Sequence, residues 1–361
     1  MKIISIVGAR PQFIKYAAIS EEISKKHENI LIHTGQHYDC SMSSIFFDEL
    51  NIHPPDYNLN VGSGSHGYQT AEMLKKIETI LLDEVPNLVI VYGDTNSTLA
   101  GALAASKLNI PIAHVEAGLR EFDMTIPEEI NKVVVDRISS IFFVPSETGV
   151  FNLMNEGIKN NVYLVGDVTL DLVKKIVSNV ELEKKILNKY GISNKKYFYF
   201  TMHRQKNTNN PERMLNLLEF LRTFSDGIII FPVHPRTMKI IVELNYLDKL
   251  KENENLKIIE PIGYQDSVFL IKNAIKTITD SGGIIKESYF LKTPCLIIDD
   301  TTEWIETVED GWSIIIGADK DKILQYIHKD IVPIRHRSVY GDGDSSKKII
   351  EIIGRCLNEG Y

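Results

Sequence analysis

Short runs of β-branched, aliphatic and aromatic residues recur along the chain, and each is followed by a stretch with helical periodicity. The runs predict buried strands at Ile3–Val7, Ile30–Thr34, Leu88–Tyr92, Pro111–Val115, Ile141–Val144 and Val162–Val165. A second set falls at Tyr197–Thr201, Gly227–Val233, Leu256–Glu260, Ala274–Ile278, Cys295–Ile298 and Ser313–Ile316. Strands that alternate with helices form a parallel sheet wrapped on both faces. Six strands in each half predict two α/β domains, both doubly wound and Rossmann-like, with ligands bound at the C-terminal ends of strands in a cleft between them. The connector from Asp171 to Tyr190 is rich in Lys and Glu and reads as one long, polar-faced helix. It sets the expected boundaries at 1–170 and 171–345, with a C-terminal helix over 346–361.

Composition narrows the class without changing that picture. A chain of 361 residues exceeds what one core usually holds. It is 43% hydrophobic and 24% charged, which is ordinary for a globular enzyme. The net charge of −8 is spread with both signs interspersed, so neither nucleic acid nor a charged tail is implied. The apolar run after Met1 is too short for a signal peptide or a membrane span and reads as the first strand. Three widely spaced cysteines, Cys40, Cys295 and Cys356, fit neither a disulfide framework nor a metal site, which points to the reducing cytoplasm.

The chemistry-bearing residues fall at the predicted strand ends. Thr279–Glu287 reads Thr-Asp-Ser-Gly-Gly-Ile-Ile-Lys-Glu, a strand ending in a glycine turn that opens a helix. Such a turn offers backbone N–H groups and the positive end of a helix dipole to a phosphate. Gly282 and Gly283 permit close approach, Ser281 can cap the helix or bond a phosphate oxygen, and Glu287 can reach a ribose hydroxyl; a tight turn with a capped helix is the plain alternative. Gly8-Ala9-Arg10-Pro11 follows the first strand, where Arg10 and Lys15 either face an anion or are solvated charges. Asp94 follows the third strand and either acts on a substrate or caps the next helix. Glu116 ends the fourth strand, and Glu128 opens a helix whose dipole also favours acids. Three loops bearing carboxylates suit general acid–base work. In the second half, His203 and Arg204 follow an aromatic strand, and His234-Pro235-Arg236 repeats that chemistry one strand on. Both are suited to neutralising a phosphate leaving group. Asp299, Asp300, Glu303 and Glu306 either bond sugar hydroxyls or lie in a solvated loop.

Taken in order, these motifs resemble the non-hydrolysing UDP-N-acetylglucosamine 2-epimerases. The resemblance rests on Gly8-Ala9-Arg10-Pro11-Gln12-Phe13-Ile14-Lys15, His33-Thr34-Gly35-Gln36-His37, Gly93-Asp94-Thr95, His114 to Arg120 and Pro127-Glu128-Glu129. It continues through His203-Arg204, His234-Pro235, Asp280 to Gly283 and Asp300-Thr301-Thr302-Glu303. It implies the two-domain GT-B fold, a homodimer, a UDP-sugar substrate and neither a metal nor a nicotinamide cofactor. It implies that Ser281, Gly282 and Gly283 hold the diphosphate, Glu287 the ribose, and Arg10 and His203 the phosphates, with Lys15 nearby. Asp94, Glu116 and Glu128 are then the proton-handling carboxylates. The chemistry implied is elimination of UDP across C1–C2 and its re-addition with C2 inverted; a GT-B glycosyltransferase and a hydrolysing epimerase are the alternatives. Gln12, Lys132 and Trp304 depart from the common family pattern. Gly-Ala-Arg-Pro-Gln-Phe and Glu-Trp-x-Glu-Thr-Val resemble the branch acting on UDP-2,3-diacetamido-2,3-dideoxy-glucuronic acid. Gln36 and His37 match a stretch near which some bacterial relatives bind a second UDP-N-acetylglucosamine.

Overall fold

The computed structural model describes residues 1–36, 47 and 49–359, so the expectations on His37 and Cys40 lie outside the described residues. The chain divides into two compact units. One is Met1–Lys174 together with the segment from Ser338 on, and the other is Lys175–Arg337.

The first unit is built on a parallel sheet of β1 (Lys2–Val7), β2 (Glu28–His33), β3 (Tyr57–Asn58), β4 (Leu88–Tyr92), β5 (Ile112–Val115), β6 (Ile141–Val144) and β7 (Val162–Leu164), in the spatial order β3-β2-β1-β4-β5-β6-β7. The second carries β8 (Tyr197–Thr201), β9 (Ile228–Pro232), β10 (Leu256–Ile259), β11 (Thr277–Thr279), β12 (Cys295–Ile297) and β13 (Ser313–Ile315), ordered β10-β9-β8-β11-β12-β13. All pairings are parallel, as in Ile3 opposite Leu88 and Ile278 opposite Phe200. Helices cover both faces of such sheets, so the central strands are apolar throughout; every residue of Leu88–Tyr92 is buried. Ile4, Ile6, Val89 and Val91 pack on Met73 and Ile77 in the first unit. Phe198, Phe200, Phe220 and Phe231 form the centre of the second core. Cys295 lies in that second sheet, where burial pushes its thiol up to about 12 and makes it a core group.

Strand order reverses at β1/β4 in one sheet and at β8/β11 in the other. Loops diverge at these points and leave a crevice at the carboxyl ends of the strands. The loops that flank the two reversals carry Gly8–Arg10 with Gly93–Thr95, and Met202–Arg204 with Asp280–Gly283.

The structure corrects three expectations. A seventh strand, Tyr57–Asn58, joins the first sheet, and two residues are too few to leave a periodic signal. The strand expected over Ala274–Ile278 is Thr277–Thr279, because Ala274 ends the helix Tyr264–Asn273. The connector is two helices, Val168–Val177 and Val180–Tyr190; Asn179 breaks it by accepting a hydrogen bond from the Leu182 N–H at 3.0 Å as the second helix's cap. The helix Ser345–Glu359 belongs to the first unit, where it packs on Arg10–Lys26. The Asp171 carboxylate receives the N–H groups of Ser345 and Ser346 at 3.2 and 2.8 Å, which satisfies two donors of that helix's first turn. No helix among the described residues is long and apolar enough to cross a membrane.

Candidate active site

In the first unit, the site starts at the turn after β1. Gly8 has no room for a side chain, since a Cβ there would overlap the hydroxyls of Thr34 and Ser97. Gln12 is fully buried and ties the turn to β4. Its carbonyl accepts the N–H groups of Gly8 and Ala9 at 2.8 and 3.1 Å. Its amide donates to the Tyr92 carbonyl and to Thr98 Oγ1 at 2.9 and 3.0 Å. A Glu at this position has no N–H for those two acceptors. The helix Arg10–Lys26, opened by Pro11, then carries Lys15 to a buried position, while Arg10 at its first turn is half-buried.

Lys15 Nζ contacts Glu116 Oε2 in an ion pair whose side chains are each about nine-tenths covered. Both stand over Gly93, where a Cβ would lie 2.9 Å from Lys15 Nζ and 3.4 Å from Glu116 Oε2. Glu116 follows β5 with φ +74, a left-handed conformation that costs a non-glycine residue roughly 1–3 kcal/mol. Its N–H donates to the Phe143 carbonyl at 3.0 Å, and the next N–H donates to the same oxygen at 3.1 Å. Asp94 does not cap the helix Asn96–Lys107, contrary to one of its two sequence readings. Thr95 is that cap, with its hydroxyl accepting the Thr98 N–H. Asp94 Oδ2 instead lies 3.8 Å from Lys132 Nζ, and its carbonyl accepts from Asn131 Nδ2 at 2.8 Å. Asp94→Asn is therefore expected to leave the thermal midpoint in place and to lower turnover by roughly tenfold or more; parallel melting and rate measurements check it.

Glu128 is exposed on the first turn of the helix Pro127–Ile138, and its neighbour Glu129 is buried. Glu129 accepts the N–H groups of Glu121 and Phe122 at 2.9 and 3.0 Å and lies 3.6 Å from Lys132 Nζ, so it fixes the loop before the helix. Behind these groups, His114, Arg120 and Asp136 form a fully buried polar network; His114 and Arg120 stand in the sequence motifs without a role, and nothing in the sequence pointed to Asp136. Burial works against ionisation of Asp136, but His114 and Arg120 outweigh it and hold the carboxyl below its usual range.

In the second unit, Asp280 latches the loop after β8 to the loop after β11. Its buried carboxylate accepts the N–H groups of His203 and Arg204, both at 3.0 Å, and Asn207 Nδ2 at 2.9 Å. The His203 ring stacks on His234 with centroids 5.5 Å apart, and His234 Nδ1 accepts the Arg236 N–H at 3.2 Å. The glycine turn opens the helix Gly282–Phe290, whose first amides have no partner within the helix. Ser281 stands at the cap position, yet its side chain makes no capping bond; its N–H donates to Thr279 Oγ1 at 2.9 Å. A Cβ on Gly282 would crowd Trp304 Nε1 and Glu303 Oε1 at 3.2 and 3.3 Å, whereas Gly283 is exposed. Glu287 is buried, and its Oε1 reaches back to 3.9 Å from the Cβ position of Gly283.

Asp299 and Asp300 are engaged by cations. Arg204 Nη1 and Lys206 Nζ each approach Asp299 to 3.2 Å, and Lys206 Nζ and Arg213 Nη1 approach Asp300 to 3.0 and 3.1 Å. The structure thus gathers Lys15, Asp94 and Glu116, with Arg10 on the adjoining turn, in one unit. It gathers His203, Arg204, His234, Ser281, Gly282, Gly283 and Glu287 in the other. Among the described residues no group of His, Cys, Asp and Glu is arranged to hold a metal ion.

Over residues 21–354 the chain matches the family described as UDP-N-acetylglucosamine 2-epimerase. A UDP-N-acetylglucosamine 2-epimerase homolog of Methanococcus maripaludis is 54% identical over 356 residues, which are 98% of this chain and 99% of the relative. The UDP-2,3-diacetamido-2,3-dideoxy-D-glucuronate 2-epimerase of Pseudomonas aeruginosa is 40% identical over 365 residues, 98% of this chain and 100% of its own. The crystal structure of Methanocaldococcus jannaschii UDP-GlcNAc 2-epimerase in complex with UDP-GlcNAc and UDP superposes with a TM-score of 0.90 at 43% identity, covering 98% of this chain and 100% of that one. The two doubly wound sheets are those of the GT-B type of fold.

Proposed function

The chain belongs to the UDP-N-acetylglucosamine 2-epimerase family, and from that premise we propose that it inverts C2 of a UDP-N-acetylhexosamine by eliminating and re-adding UDP. The observation that supports this most is the Lys15–Glu116 pair beside Asp94 at adjoining strand ends. Epimerisation at C2 needs a base for the C2 proton on one face and an acid on the other. A carboxylate of the Asp94, Glu116 and Glu128 set removes the C2 proton as the C1–O bond breaks and its electron pair leaves with UDP. The product is a 2-acetamidoglucal with a C1=C2 double bond. A protonated group then delivers a proton to the opposite face of C2 while a diphosphate oxygen re-bonds C1. Atoms and charge balance, and the net change is the configuration at C2.

The leaving group has to be held for its return. The amides of Gly282 and Gly283 and the Ser281 hydroxyl bind the diphosphate at the helix N-terminus, with His203, Arg204 and His234 of the same unit as the cationic and polar complement. Glu287 bonds the ribose. The sugar is UDP-N-acetylglucosamine or its 2,3-diacetamido uronic acid analogue, and the 40% identity to the Pseudomonas enzyme favours testing both. A homodimer in the cytoplasm completes the reading, and light scattering checks the mass.

Incubation in D2O with each UDP-sugar and no acceptor is expected to place deuterium at C2, followed by NMR. Transfer to an added acceptor without any C2 exchange would support a glycosyltransferase instead. Released free sugar with loss of UDP would indicate a hydrolysing enzyme.

A further inference from the structure

His114 occupies the third position of β5, two residues before Glu116, and neither its ring nor the Asp136 carboxylate has any exposed surface. Its Nε2 lies 2.7 Å from the Gly93 carbonyl, the last peptide before Asp94. Its Nδ1 lies 2.6 Å from Asp136 Oδ1. The two ring nitrogens thus face two different elements, one the turn after β4 and the other the helix Pro127–Ile138. Asp136 is on the helix Pro127–Ile138, the helix that starts with Glu128 and also carries Asn131 and Lys132. Its second oxygen accepts the Gly118 N–H at 3.1 Å and the Arg120 guanidinium at 2.8 Å. Arg120 is anchored in turn by a two-pronged pair with Glu156 at 2.7 and 2.8 Å.

One buried ring therefore joins three separate elements. Through Gly93 it holds the turn bearing Asp94, through its own strand it precedes Glu116, and through Asp136 it holds the helix bearing Glu128. We propose that His114 is a positioning residue for epimerisation, a buried imidazole that sets the spacing of the three carboxylate-bearing loops through its contacts on both ring nitrogens. The inference rests on the reading that those carboxylates move the C2 protons. Proton transfer depends on donor–acceptor separations held to a fraction of an ångström, so a turn released by one hydrogen bond lowers turnover without weakening the hold on the nucleotide.

Two part-replacements separate the ties. The Asn amide nitrogen falls near the Nδ1 position and keeps the Asp136 contact, whereas the Gln nitrogen falls near Nε2 and keeps the Gly93 contact. His114→Asn is expected to lower kcat at least about tenfold with the UDP dissociation constant unchanged, and His114→Gln to recover a large part of that loss. Asn131→Ala, which frees the Asp94 carbonyl from the same helix, is the second route should His114→Asn fail to fold; it too is expected to lower kcat and spare UDP binding. Rates are taken per folded molecule, as C2 deuterium exchange, with UDP affinity from calorimetry.

Native protein that shows no C2 exchange overturns the function on which the inference rests. Native exchange with equal rates in Asn, Gln and wild-type proteins, or in wild-type and Asn131→Ala, overturns the positioning role alone. Equal loss of kcat and UDP affinity also overturns it, because that is the signature of a structural defect.

Discussion

Glu116→Gln is expected to reduce turnover by about 10²–10⁴-fold and to leave UDP affinity unchanged. Gln matches the shape of Glu, so the backbone at φ +74 and the bonds of residues 116 and 117 to the Phe143 carbonyl are retained. What disappears is the ability to take up and return a proton, together with the charge that Lys15 contacts. Lys15 is then a buried ammonium beside a neutral amide, so a modest loss of stability accompanies the kinetic effect. A thermal melt quantifies the first and steady-state rates the second. A variant that keeps native turnover would remove Glu116 from the proton path.

Glu287→Ala acts on the other unit and on a different parameter. The carboxylate is buried on the helix Gly282–Phe290 and turned back toward that helix's first turn, where the diphosphate is proposed to bind. A hydrogen bond to a charged acceptor contributes on the order of 1.5–3 kcal/mol, so UDP and UDP-sugar are expected to weaken by similar factors, roughly ten- to hundredfold. A ribose contact is the same in the ground and transition states, so kcat is expected to hold while KM rises. Titration of UDP into the variant, with its melt as a control for folding, decides it. Unchanged UDP binding would sink the assignment of the glycine turn as the nucleotide site.

Much of this was written in the order of apolar runs. Strands buried on both faces, such as Leu88–Tyr92 and Tyr197–Thr201, leave continuous hydrophobic stretches that no surface element imitates. The strand–turn–helix at Thr279–Glu287 was legible because two adjacent glycines stand between an apolar run and a helical one. Adjacent residues of like chemistry were harder. Glu128 and Glu129 differ only by their angle on one helix, which leaves the first exposed and the second buried under a loop. Asp94 and Thr95 can both cap a helix, and the structure gives that task to Thr95. The ties made by Gln12, His114 and Asp136 were not legible, although the first two stand in quoted motifs, because each bonds elements far apart in the chain. A polar residue at an otherwise apolar strand or helix position was the one available signal.

The return of the last helix to the first unit bears on how the protein is made. Residues 175–337 form one uninterrupted piece, so that unit has all its strands as soon as its own stretch has left the ribosome. The first unit, although its sheet is synthesised earlier, gains the packing of the helix Ser345–Glu359 on Arg10–Lys26 and the bonds of Ser345 and Ser346 to Asp171 only after those later residues are made. Domains usually complete in order from the N-terminus during synthesis. Here the connectivity inverts that order for one set of contacts: every residue of the inserted unit is made before the residues that complete the packing of Arg10–Lys26 and the bonds to Asp171.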